Sequence, residues 1–237
     1  FAVVERAAAL EVEIVQLCDN LPVDRLTDAE QQRLRDLVAQ GGLSLQLGTR
    51  GCCPEHLCRQ VALCGRLGAG LLRVVVDDGA DQPSLAVAEE RLRAVLPRLD
   101  QAGLVLAIEN HDRWRAAELA RLVAALASPR VGVCLDTANS FGALEGPDAV
   151  LAAVRPHVAN LHVKDFRVRR QPHCLGFVLE GAPAGEGQLD LPALLRDLPD
   201  TDAIVEQWTP PCGDLQETVA READWARRSV DNLKRLR

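Results

Sequence analysis

Glu109, Asp136, His162 and Glu206 are the residues of this chain whose types and spacing point most directly to chemistry. Three carboxylates and one imidazole make a donor set for a hard divalent cation, with oxygen in the majority and one borderline nitrogen. Each closes a short apolar run: Val105–Glu109, Val131–Asp136, Val158–His162 and Ile204–Glu206. They follow one another at intervals of 27, 26 and 44 residues. In a barrel of parallel strands the carboxyl ends open onto one face, so four such residues on consecutive strands converge. Singly, each has a plain structural role. Glu109 suits a mouth carboxylate paired with an arginine such as Arg113, and Glu206 suits the same. Asp136 suits a helix cap, and His162 a hydrogen-bonded core residue. Together, four buried polar groups without a cation would be costly, and a bound metal is the expected reason for them.

The elements that must position these groups recur along the chain. Apolar, β-branched runs occur at Val12–Cys18, Leu43–Leu47, Leu71–Val76, Leu104–Ile108, Val131–Leu135, Val158–Val163 and Ala203–Val205. They show little alternation, as expected of parallel strands covered on both faces. Helical patterns with clear punctuation separate them. Thr27 and Glu30 have capping-box spacing, Pro54 opens a helix that stops at Gly68 or Gly70, and Ser84 starts a long one with a kink expected at Pro97. Asp190 and Asp214 cap the last two. The array predicts an α/β fold, a (β/α)8 TIM barrel forming a single domain over residues 1–237, with an open doubly wound sheet as the alternative. Seven strands are visible and Phe1–Leu10 reads as a helix, so the first barrel strand is expected upstream of Phe1.

Composition narrows the partners. The net charge of −7 disfavours polyanions, so no nucleic-acid partner is expected. No apolar run approaches membrane-spanning length. The eight cysteines lie mostly within apolar patterns and read as reduced thiols of a cytoplasmic protein. Cys52, Cys53, His56 and Cys58 contain no CxxC pair, which argues against a zinc site there.

The strand-end set Glu109, Asp136, His162 and Glu206 resembles the ligand set of the xylose isomerase-like TIM barrel superfamily, the sugar phosphate isomerase/epimerase group. The resemblance covers nearly the whole chain from the second barrel strand onward. It implies one divalent ion, Mn²⁺ first, with Mg²⁺ or Co²⁺ as alternatives and Zn²⁺ still open. It also implies a sugar or polyol ketone as substrate, and isomerisation or epimerisation by proton transfer through a metal-stabilised enediolate with Glu109 and Glu206 as acid and base. This chain departs from the ketose epimerases at two places. Asn139 stands where they carry a histidine, and Val168, flanked by Arg167 and Arg169, stands where they carry an arginine. The His-x-Lys-Asp run at His162–Asp165 is more similar to inosose dehydratase, which makes dehydration of an inosose or dehydroshikimate-like substrate the alternative reaction. An endonuclease IV-like nuclease is a remote reading, because the first two visible strands end without histidine. A non-catalytic sugar-binding protein is the other remote reading.

Around the metal, Asn139, Lys164, His111, Trp114, Arg167 and Arg169 are the candidate substrate contacts. The plainer readings are a surface pair with Asp165 for Lys164 and simple packing for Trp114. Gln16, Asp19 and Asn20, closing the first visible strand, are placed to reach sugar hydroxyls. Gly185-Glu186-Gly187 offers either an approach to a phosphate or a tight turn. The long Phe166–Gly187 segment reads as a lid or a contact in a homodimer or homotetramer.

Overall fold

Local chemistry starts and stops the elements where the sequence places them. In the computed structural model, which describes residues 1–236, Thr27 and Glu30 close a reciprocal capping box at the start of α2 (Asp28–Gln40), following the short α1 (Ala2–Ala9). α3 (Pro54–Leu67) has proline in its first turn and ends at Gly68, which takes the left-handed conformation at φ 73°. α4 (Leu85–Ala102) is capped by the Ser84 side chain and runs through Pro97 as one helix. α5 (Ala116–Leu126), α6 (Pro147–Val154), α7 (Leu191–Asp197) and α8 (Leu215–Leu236) complete the outer layer.

Between them lie β1 (Ile14–Leu17), β2 (Ser44–Arg50), β3 (Leu71–Val75), β4 (Val105–Glu109), β5 (Val131–Asp136) and β6 (Val158–Val163). An antiparallel pair, β7 (Asp165–Arg170) and β8 (Phe177–Ala182), precedes β9 (Ala203–Val205). The main sheet is parallel throughout, in the order β1-β2-β3-β4-β5-β6-β9, and nearly closes into a barrel. Leu34, Leu57, Leu92, Leu99, Leu119 and Leu191 on the helices are fully buried, as are Leu72, Leu106, Ile108 and Leu161 on the strands. β1 and β9 are the two edges. A cleft of about 820 Å³ lies between them and α1 and α8, walled by Val12, Ile14, Ala203, Val205, Val219 and Val230. No helix is long and apolar enough to cross a membrane among the described residues, and all eight cysteines are free.

The Phe166–Gly187 segment, expected as a lid or a subunit contact, is largely the β7–β8 hairpin. Asp165 pairs with Ala182 at its base and Arg170 with Phe177 near its tip. β7 is rich in arginine, and the apolar start of β8, Phe177–Leu179, stays exposed or half-buried, so the pair forms a side ribbon outside the barrel sheet.

One irregularity matters for the site. Between β5 and β6 the register steps from Val133↔Val158 to Cys134↔Asn160, so Ala159 is an extra residue on β6. The bulge turns Asn160 inward beside Cys134 and sets His162 level with Asp136. Gly132 makes room for it: a Cβ there would meet the Ala159 Cβ at 2.6 Å and the His157 carbonyl at 2.9 Å. Gly132→Ala should therefore cost about 1–3 kcal/mol of stability, by overpacking against backbone. Urea denaturation checks it, and an unchanged midpoint would show that the bulge tolerates the added methyl.

Candidate metal centre

Glu109 is the last residue of β4, Asp136 the last of β5, His162 the penultimate residue of β6, and Glu206 follows β9 directly. The barrel brings these together. Donor atoms of Asp136, His162 and Glu206 lie within 4.8 Å of one another, and Glu109 Oε2 is 3.6 Å from His162 Nδ1. Glu109, Asp136 and His162 are buried, whereas the Glu206 side chain is 38% exposed toward a cavity of about 800 Å³.

Each ligand candidate is held by its own chain. Asp136 Oδ1 accepts the backbone N–H groups of Ala138 and Asn139, each at 2.9 Å, so its Oδ2 is turned inward. Asn110 clamps the Asp136 backbone from both sides, accepting from its N–H at 2.6 Å and donating to its carbonyl at 2.8 Å. His162 Nε2 meets Gln16 Oε1 at 2.7 Å, which directs Nδ1 to the carboxylates. Glu109 receives Arg73 at one oxygen, in a close buried ion pair, and the Asn139 amide at the other, 2.7 Å away. Lys164 is buried and stands 2.7 Å from Asp136 Oδ2 and 3.0 Å from Glu206 Oε1, with Asn139 Oδ1 at 3.2 Å and the Trp208 ring centroid at 5.4 Å.

Charge in this cluster is not balanced. Glu109, Asp136 and Glu206 face two internal cations, Arg73 and Lys164, and Arg73 also serves Asp19 at 3.2 Å. Burial pushes the Glu109 carboxyl above its ordinary range, although Arg73 and His162 work against the shift. Burial also opposes ionisation of Glu206, but His162 and Lys164 overcome it and hold the carboxyl down at about 2. Lys164 loses by burial and gains more from Asp136 and Glu206, so its ammonium is held above the ordinary lysine range. Asp136 Oδ2 and His162 Nδ1 are buried at the heart of the cluster, their nearest partners being Lys164 Nζ at 2.7 Å and Glu206 Oε2 at 2.6 Å. Carboxylate oxygens and an imidazole nitrogen converging on one point, in an under-neutralised site, are what a divalent cation requires.

Other candidates fall differently. His111 lines the cavity and is paired with Asp112. Trp114 does not reach the cavity. It packs on the apolar core beside Arg113, and the indole that does line the cavity is Trp208. Arg167 and Arg169 also stay outside. Arg167 donates to the Glu186 carbonyl, and Arg169 pairs with Glu180 across the hairpin. Arg113 pairs with Asp77 rather than Glu109. Asp165 is not the partner of Lys164: it is buried and accepts backbone N–H groups of Phe166, Gly185, Gly187 and Leu189. That occupies the Gly185–Gly187 turn with an internal carboxylate in place of a phosphate. Cys53 and His56 are engaged separately, by Glu55 and Thr49. Gln16, Asp19 and Asn20 all line the cavity, and Gln16 also meets His162. The residues missed by sequence reasoning are Arg73, Asn110, Gln46 and Asn160. Their one available signal was a polar side chain interrupting or directly following an apolar strand.

A sequence profile of the family described as xylose isomerase-like TIM barrel matches residues 4–236. The chain belongs to that family. It is 33% identical over 236 residues to the 3-oxo-isoapionate decarboxylase of Pectobacterium atrosepticum, a match covering 98% of this chain and 86% of that protein. In fold it is similar to a xylose isomerase-like TIM barrel protein from Mycobacterium smegmatis in complex with magnesium, with TM-score 0.72 and 16% identity over 97% of this chain and 87% of that one. It is likewise similar to a D-psicose 3-epimerase solved in the presence of D-fructose, with TM-score 0.72 and 18% identity over 96% of this chain and 90% of that one.

The Arg73–Glu109 pair should be a strong determinant of stability. Arg73→Met leaves a buried carboxylate without its cation and should cost about 3–5 kcal/mol, whereas Arg73→Met with Glu109→Leu should recover most of it. Urea denaturation of the single and double variants in chelator checks this. Equal losses in both would mean that packing, not charge, is responsible.

Proposed function

We propose that this protein is a divalent-metal-dependent decarboxylase of a 3-oxo sugar acid, with Glu109, Asp136, His162 and Glu206 as metal ligands. The observation that carries the reading is the state of the two glutamates. Glu109 is held by Arg73 and Asn139, and Glu206 by His162 and Lys164, so neither is a free base for taking a proton from carbon. Decarboxylation needs no such base. The bond between the carboxylate and the adjacent carbon breaks, CO₂ leaves, and the electron pair is delocalised toward the 3-oxo oxygen before a proton is added to carbon. The likeness to a decarboxylase across nearly the full length of both chains supports the same reaction class.

A divalent cation on the four ligands would supply Lewis-acid polarisation of the substrate ketone. The chain's own residues do the rest. Asn139 bridges Glu109 and Lys164, keeping the carboxylate and the ammonium in fixed relation. Lys164 stays charged between Asp136 and Glu206, where it stabilises developing negative charge and returns the proton to carbon. Trp208 covers the same ammonium and limits its exposure to water. Arg50 lines the cavity with only a loose contact to Asp19, at 3.8 Å, and favours entry of an anionic substrate.

The second reading is isomerisation or epimerisation of a neutral sugar or polyol ketone, with Mn²⁺ as its metal. Its supporting observation is the partial exposure of Glu206 to the cavity, which gives that carboxylate access to a substrate C–H bond once Lys164 moves aside.

A substrate panel in D₂O, with Mn²⁺ or Mg²⁺ present, separates the readings. The expected result is CO₂ release from a 3-oxo sugar acid, with one solvent deuterium entering the product and loss of turnover in EDTA. Lys164→Met should lower kcat by about 10²–10³-fold while leaving the fold intact. Deuterium entering an intact ketose without CO₂ would establish the second reading instead, and loss of water would establish a dehydratase.

A further inference from the structure

The interior of this barrel carries a column of amides beneath the metal centre. Barrel interiors are ordinarily filled by branched apolar side chains. Here Gln16 and Gln46 lie side by side in register on β1 and β2, and Asn160 reaches both from β6. Gln46 Nε2 donates to Asp202 Oδ2 at 2.9 Å, just before β9. Gln16 Nε2 donates to Gln46 Oε1 at 3.0 Å, and Gln16 Oε1 faces His162 Nε2 at 2.7 Å. Asn160 Nδ2 adds a second donor to Gln46 Oε1 at 3.1 Å, and Asn160 Oδ1 accepts from Gln16 Nε2 at 3.2 Å.

The direction of this chain follows from chemistry alone. An ionised carboxylate only accepts, so Asp202 obliges Gln46 to present its NH₂. The Gln46 carbonyl must then face Gln16, which obliges Gln16 to present its own NH₂. The Gln16 carbonyl is thereby left for the imidazole, which must donate from Nε2. Asn160 agrees with the same polarity at both amides. We propose that Asp202, Gln46 and Gln16 are positioning residues that hold His162 protonated at Nε2, with Nδ1 as the ligand nitrogen. The inference rests on the metal site of the proposed function and adds the device that prepares it. A metal-bound histidine commonly donates its other N–H to an acceptor that fixes its tautomer and strengthens it as a ligand. In this chain the acceptor is an amide, and the charge that orients it lies two side chains away.

The position of Nδ1 agrees with that role. It is buried and faces Glu206 Oε2 at 2.6 Å and Glu109 Oε2 at 3.6 Å, the side on which a cation would be held. If Nε2 were bare instead, it would oppose the Gln16 carbonyl, acceptor against acceptor, unless both glutamines turned and Gln46 then set its own carbonyl against Asp202.

The test uses the full chain, with Mn²⁺ affinity measured by chelator competition and the His162 side-chain nitrogens read by NMR in metal-free protein. In the wild type, Nε2 should carry the proton. Gln16→Leu should weaken Mn²⁺ binding roughly 10–100-fold. Gln16→Glu places a carboxylate acceptor against Nε2 and should keep both the tautomer and the affinity. Asp202→Asn and Gln46→Leu, away from the metal, should each weaken binding at least about threefold and mix the tautomers. An unprotonated Nε2 in the wild type would overturn the inference. So would wild-type affinity and tautomer in Asp202→Asn and Gln46→Leu, which test the relay even if Gln16→Leu fails to fold. A wild type that binds no Mn²⁺ but keeps Nε2 protonated would sink the metal reading and leave the relay standing.

Discussion

Three carboxylates crowded at one end of a parallel barrel are the constraint to which the rest of the centre answers. Like charges at such separations, out of water, repel strongly enough to prevent burial unless cations intervene. The chain provides Arg73 from β3 and Lys164 from the end of β6, each buried and each bridging acidic groups. Two cations against three acids leave a deficit. It leaves Asp136 and Glu206 sharing one ammonium, and Glu109 sharing Arg73 with Asp19. The site is shaped to be completed by a small, doubly charged ion.

Rigidity around that deficit comes from several independent devices. Asn110 and the backbone N–H groups after β5 fix Asp136, and the bulge at Ala159 levels His162 with it. The amide column supports His162 from below. The hairpin after β6 is anchored by Asp165, whose carboxylate gathers four backbone donors, and α8 clamps the same turn through Ser229, Asn232 and the Arg228–Glu186 pair. A ligand set spread over four strands keeps its geometry only when each strand end is tied down separately.

The distribution of cations bears on the reaction. Lys164 directly follows β6, two residues after His162, and Asn139 lies three residues after Asp136. These two meet each other and Glu109 across the cavity. An ammonium and an amide therefore occupy the position where a carboxylate base would need freedom to move. On the reading proposed above, that arrangement would serve loss of CO₂ rather than removal of a proton from carbon.

Much of this could be read from the chain itself. Capping residues and apolar runs marked the helices and the barrel strands, because those signals are local: a cap satisfies N–H groups three residues away, and a buried strand needs an apolar run wherever it lies. The four strand-end donors were legible for the same reason, since the carboxyl ends of parallel strands share one face. Trp114 and Trp208 show the limit. Both follow a ligand glutamate within five residues, yet the turn after β4 carries one into the core while the segment after β9 brings the other over Lys164. Arg73, Gln46 and Asn160 sat in the sequence as polar interruptions of apolar strands, with nothing local to say what they meet. Their partners lie 36, 156 and 114 residues away, at Glu109, Asp202 and Gln46. Composition and periodicity determined the elements and the donor types. Barrel closure and strand stagger decided which donors share a cation, because side chains so distant along the chain are brought within hydrogen-bond reach only by the folded sheet.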